Sequence, residues 1–230
     1  MFYFDPLYFV FALPALILAM IAQWRVKSAF NKFSRVRTWR GLTGAQAARA
    51  MLDDNQLHDV SVEETGGLLS DHYDPRSHTL RLSQDVYNSN SVAAVGVASH
   101  EAGHALQHAQ GYLALQARTA LVPVVQFGSW LGPLVFMVGF VFSLRPVSWL
   151  GVLLFGAVVV FSLITLPVEF DASRRAKAWL AQGLSLDQSE LVGVNQMLDA
   201  AALTYVAALA QAISTMLYYV FLLSGSRRRN

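Results

Sequence analysis

The stretch Ser99-His100-Glu101-Ala102-Gly103-His104 reads H-E-x-x-H inside a segment with the marks of a helix. Histidines four residues apart lie on one helical face, one turn above the other, so both imidazoles can reach one Zn²⁺ at about 2.0–2.1 Å. Glu101 stands about 100° round the helix from His100, beside such an ion rather than on it. That is the place for a base that takes a proton from metal-activated water. The flanking sequence supports the helix. Ser91 or Asn90 caps its start and Gly111 ends it. Small residues such as Ala98, Ala102, Gly103 and Ala105 make it a helix that other backbone can approach closely.

The 230-residue chain is 54% hydrophobic and only 14% charged, against about 25% charged in a soluble domain. Part of it therefore belongs in a membrane, and the lipid bilayer is its first expected partner. A net charge of +2 is too small to argue for nucleic acid, and the basic residues cluster beside apolar runs instead. With no cysteine, disulfides and thiolate ligands are excluded, so a metal site must use His, Asp and Glu.

Residues 6–24 form an apolar run long enough to span a bilayer. Arg25, Lys27, Lys32, Arg35, Arg37 and Arg40 follow at once, which puts this end in the cytoplasm and the N-terminus outside. Residues 41–118 form a polar insert, expected to be cytoplasmic and to carry the H-E-x-x-H helix. In it, Thr43-Gly44-Ala45-Gln46 is a capping box, and strands are expected near 59–64 and 78–82. An edge of such a sheet could hold an extended peptide, or could simply be an edge with no partner. Residues 119–168 read as a transmembrane hairpin broken only at Arg145-Pro146, with Gly128 and Gly132 spaced for close helix contact within or between chains. Residues 169–199 read as a cytoplasmic helix, and residues 200–224 as a last transmembrane or re-entrant helix. If that helix spans, Arg227-Arg228-Arg229 lies outside, against the positive-inside rule.

A catalytic zinc expects three protein ligands. His108 continues the four-residue spacing, but eight residues of helix put it about 12 Å from His100, so a surface or supporting role suits it better. His58, His72 and His78 lie in the insert as surface or strand histidines, with His72 a remote alternative ligand. Glu169 is the favoured third ligand. It is expected to open a fresh helix where the hairpin returns to the cytoplasm. A carboxylate at a helix start has an ordinary dipole explanation, yet an acid beside a long apolar span is costly unless employed.

The runs 71–83 and 86–107, Leu166-Pro167-Val168-Glu169-Phe170-Asp171-Ala172-Ser173-Arg174-Arg175, and Ala201-Ala202-Leu203-Thr204-Tyr205-Val206-Ala207 resemble the YugP-type neutral zinc metallopeptidases over nearly the whole chain. These are prokaryotic integral membrane proteins. More distantly the chain is similar to membrane gluzincins of the HtpX and CAAX-protease group. The resemblance implies His100, His104 and Glu169 as ligands of one zinc per chain and Glu101 as base. It also implies a mainly α integral membrane protein, with about four transmembrane helices and a small α+β gluzincin-like metalloprotease domain. Those gluzincins usually place an Asp four residues after the Glu ligand, where it orients a ligand histidine; here that position is Ser173, and Asp171 lies on another face.

The expected function is zinc-dependent endopeptidase activity at the cytoplasmic face of a prokaryotic inner membrane, on peptides or membrane proteins. Glu101 takes the proton of zinc-bound water and passes it to the leaving amine. Tyr205 is a candidate oxyanion donor, although a tyrosine at the membrane interface would sit there for other reasons. Arg174 and Arg175 read as topology or headgroup charges rather than catalytic groups. An intramembrane protease would need an L-D-G-like span, which the chain lacks. A silent membrane scaffold and a zinc hydrolase of a non-peptide bond are the alternatives, and the oligomeric state is open.

Overall fold

The computed structural model describes residues 6–67 and 70–225. It is a mainly α membrane protein with a small α+β portion. In chain order the elements are α1 (Pro6–Phe33), α2 (Gly44–Asp54), β1 (Ser61–Thr65), β2 (His72–Asp74), β3 (Thr79–Ser83), α3 (Gln84–Tyr87), α4 (Val92–Ala109), α5 (Leu113–Val141), α6 (Arg145–Gln182) and α7 (Gln188–Gly225). Two compact units share these elements. One takes residues 6–22, 117–166 and 204–225; the other takes residues 23–116 and 167–203.

The first unit is built from the apolar stretches of α1, α5, α6 and α7. Each of these helices is long and apolar enough to cross a membrane. Large apolar side chains such as Leu16, Met20, Phe127, Trp130 and Leu153 face outward, as a lipid solvent requires and water would penalise. Within the hairpin, α5 and α6 approach through glycines. A Cβ on Gly128 would lie 2.7 Å from the carbonyl of Leu154, and one on Gly132 2.9 Å from the amide of Phe155. The Gly128/Gly132 face therefore packs inside the chain, which answers one of the two possibilities its spacing allowed. Phe136 stacks on Tyr219 of α7 at 4.1 Å, and Arg145 donates to the carbonyl of Leu223. The tail Arg227-Arg228-Arg229 lies outside the described residues.

The second unit has a three-stranded sheet in the order β1-β3-β2. β1 runs parallel to β3 and β2 antiparallel to it. Strand β2 is absent from the sequence reading, because three residues are too few to show alternation. The capping box forms: the Gln46 amide donates to Thr43 Oγ1 and the Thr43 amide to Gln46 Oε1. Against α4 the chain lays two apolar cores. One, with Met51, Leu52, Leu80 and Leu82, holds α2 and the sheet. The other, with Phe33, Leu180, Val194 and Leu198, holds the polar-side parts of α1, α6 and α7.

One expectation needs correction. No helix starts at Glu169. α6 runs unbroken from Arg145 to Gln182 with Pro167 inside it. Proline deprives the carbonyl four residues back of its donor, which made a break look natural, but the helix continues through. The dipole explanation for Glu169 therefore falls, since that effect fades beyond the first turn. α7 is likewise one helix across residues 188–225.

Candidate metal centre

Helix α4 carries the site, and its composition explains how. Ser91 caps it by accepting from the amide of Ala94. Gly103 lies where α6 crosses: a Cβ there would sit 2.7 Å from the carbonyl of Ala172. Only a glycine permits that approach without displacing backbone. The approach brings Glu169, Asp171 and Ser173 of α6 to the face that bears His100 and His104.

There Glu169 Oε2 stands 3.2 Å from Nε2 of His100 and 3.7 Å from Nε2 of His104. One donor atom from each of the three residues falls within a 4.8 Å group. Donors bound tetrahedrally at about 2.0–2.1 Å are about 3.3 Å apart, close to both Glu169 distances, so the group could hold a metal ion. The set of two imidazoles and one carboxylate is also a zinc-type set. The Glu169 side chain is almost wholly buried, and a buried acid needs cationic company.

The far sides of both rings are held. Nδ1 of His104 lies 3.0 Å from Gln107 Oε1. The amide nitrogen of Gln107 donates to the carbonyl of Val168 at 2.8 Å and to Asp171 Oδ2 at 2.9 Å. Both are acceptors only, which fixes the orientation of the amide. Its oxygen must face His104, so Nδ1 carries the proton and Nε2 offers the lone pair. On His100, Nδ1 meets Ser173 Oγ at 3.1 Å. Ser173, four residues after Glu169, thus sets a hydroxyl against the outer nitrogen of His100.

The electrostatics also favour a cation. Burial alone would lower the basicity of His104, but the nearby carboxylates of Glu169 and Glu101 outweigh this and hold the ring above its usual pKa. The same carboxylates would also attract a metal cation. Burial pushes the Glu101 carboxyl up, with repulsion from Glu169 and Asp71 adding to it and the two histidines opposing. A base raised in this way holds a proton better at neutral pH.

The remaining candidates lie elsewhere. His108 pairs with the hydroxyl of Tyr73 at 2.9 Å, whose pKa burial pushes up to about 12. His58 binds Asp53, His78 binds Asp59, and His72 binds the carbonyl of Ser70. Tyr205 is half-buried on α7 and belongs to the other unit. Arg174 and Arg175 do more than mark topology: both pair with Asp171, and Arg175 also donates to Gln110 Oε1 at 2.6 Å. Gln107 stands in the run that carries the family resemblance, but the sequence assigns it no role. A further signal is its place three residues after His104, on the same helical face.

Comparison with known proteins places the chain in a family. Residues 8–224 match the family model described as "Putative neutral zinc metallopeptidase". The chain belongs to this family. It is also 46% identical over 224 residues to the "Putative membrane protease YugP" of Bacillus subtilis (strain 168), covering 97% of this chain and 100% of that one. No solved structure matches the chain. In this chain, Gln107→Leu removes the acceptor that meets Nδ1 of His104. Zinc affinity is expected to fall about 10–100-fold, measured by competition with a chelating dye. Unchanged affinity would show that the amide does not orient the ligand.

Proposed function

We propose that the protein is a zinc-dependent endopeptidase acting on peptides or membrane proteins at the cytoplasmic face of the membrane. The observation that carries this reading is the convergence of His100, His104 and Glu169, with Glu101 one residue along the same helix from His100. The three converging residues would hold one zinc ion per chain, which supplies Lewis acidity to the scissile carbonyl and to the attacking water. Glu101 takes a proton from that water and delivers it to the leaving amine. Gln107 keeps the His104 imidazole in the tautomer that leaves Nε2 free, and Ser173 holds the outer nitrogen of His100.

The cytoplasmic assignment is supported by charge. Arg25, Lys27 and Lys32 lie on the part of α1 that belongs to the same unit as the three converging residues. Tyr205 is the proposed oxyanion donor. Tyr205→Phe is expected to lower kcat about 10²–10³-fold with little change in KM; an unchanged kcat would remove it from the reaction.

Elemental analysis of detergent-purified protein tests the metal assignment. About one zinc per chain is expected from a single three-residue site. Protein that stays metal-free with zinc supplied throughout purification would favour the silent scaffold.

A further inference from the structure

A cavity of about 510 Å³ lies between the polar-side ends of α1 and α7, well away in sequence from the H-E-x-x-H helix. Its volume is within the range of about 300–1,000 Å³ typical of small-ligand sites. Its walls have a regular origin. Arg25, Ser28, Ala29 and Lys32 recur at i, i+3, i+4 and i+7 along α1, and Gln196, Asp199, Ala200 and Leu203 do the same along α7. Each set is therefore one helical face.

The two helices run antiparallel here. Phe33, next to Lys32, packs against Gly193, one turn before Gln196. Lys32 and Gln196 thus share one end of the groove, and Trp24 and Leu203 share the other. Both helices change character in step. α1 is apolar up to Trp24 and basic after it, while α7 is polar before Ala200 and apolar after it. One end of the groove is cationic, and the other opens where both apolar runs begin.

The charge balance is also clear. Asp199 is already taken by Lys177 Nζ at 2.5 Å. Among the described residues, neither Arg25 nor Lys32 has a carboxylate partner, although Lys32 Nζ lies 4.8 Å from the centre of the Phe33 ring. Arg25, Lys32 and Lys177 against Asp199 leave the groove with a surplus of two positive charges. Trp24 is 68% exposed at its apolar end, as suits an indole at the level of lipid headgroups.

We infer that this groove binds one anionic phospholipid of the surrounding bilayer. The phosphodiester sits between Arg25 and Lys32, within reach of the Ser28 hydroxyl and the Gln196 amide. An acyl chain leaves past Trp24 and Leu203. General attraction between a basic segment and an anionic surface would need only the charges. The groove adds a fixed place for one headgroup.

The test uses the full chain in phosphatidylcholine nanodiscs that contain a small fraction of brominated lipid, with quenching of Trp24 read as the difference between wild type and Trp24→Phe. Brominated phosphatidylglycerol is expected to quench Trp24 about fivefold more than brominated phosphatidylcholine at equal mole fraction. The double substitution Arg25→Gln, Lys32→Gln should bring that ratio to about one. Lys27→Gln with Arg35→Gln removes the same charge outside the groove and should keep most of the preference. Helical content by circular dichroism confirms that each variant is folded. Equal quenching by both lipids in the wild type would overturn the inference. So would equal loss in both double variants, which would mean diffuse attraction, or displacement of the quencher by millimolar inorganic phosphate, which would mean a free-anion site.

Discussion

Glu101→Gln is expected to abolish peptide hydrolysis while the protein keeps its zinc. The substitution preserves the shape of the side chain but leaves nothing to accept a proton. Loss of a positioned general base costs about 10²–10⁴-fold in rate, enough to place turnover near background. Zinc should stay because Glu101 is not among the three residues whose donors converge. Stability moves the other way. Burial and the nearby Glu169 and Asp71 hold the Glu101 carboxyl above its usual range. Such a group binds its proton more tightly folded than unfolded, so its contribution is fully present at low pH and is lost as pH rises through its folded value. At neutral pH and above, the zinc-free Glu101→Gln variant should therefore unfold at a higher temperature than zinc-free wild type, and the gap should close in acid. A variant that unfolds lower than wild type at every pH would contradict this reading of the site's electrostatics. Undiminished hydrolysis would remove Glu101 as the base.

Glu169→Ala should lose the metal itself. Spreading the roughly 10–16 kcal/mol of a four-ligand zinc site evenly gives about 2.5–4 kcal/mol per ligand, or about 10²–10³ in affinity. The observed geometry makes Glu169 the shared neighbour of both imidazoles, so its removal leaves two histidines facing each other across a gap. His108→Ala is the matched control. It removes an imidazole from the same helix, but one whose partner is Tyr73, and zinc affinity should not change. Competition against a chelating dye separates the two variants. Equal affinity in Glu169→Ala and wild type would sink the third-ligand assignment.

The ease of reading the sequence varied with the range of the interactions involved. The H-E-x-x-H pair, the Ser91 cap and the Thr43 capping box are local patterns at helical spacing, and each is formed. The four apolar runs were legible because bilayer thickness sets their length. Glu169 stood out because an acid beside a span is expensive, although the helix start that seemed to explain it does not exist. What stayed hidden depends on contacts across the fold. The chain of hydrogen bonds from His104 through Gln107 to Asp171 joins residues 64 apart in sequence at its longest link. Gln107 looks like any polar residue near a helix end. Ser173 reads in the sequence only as a departure from Asp, yet its hydroxyl meets Nδ1 of His100. The Gly103 contact needs the path of α6, which no local pattern in α4 encodes.

Cleavage itself provides the most direct test of zinc peptidase function. Full-length wild type in lipid nanodiscs would be stripped of metal with a chelator and incubated with a membrane-protein digest. It would then be given one equivalent of zinc per chain, and new amine termini would be counted by mass spectrometry. The expected result is no cleavage by the stripped protein and full return with the single equivalent, with none in Glu101→Gln treated identically. Cleavage that survives stripping, or that Glu101→Gln performs equally well, would contradict a peptidase built on His100, His104 and Glu169.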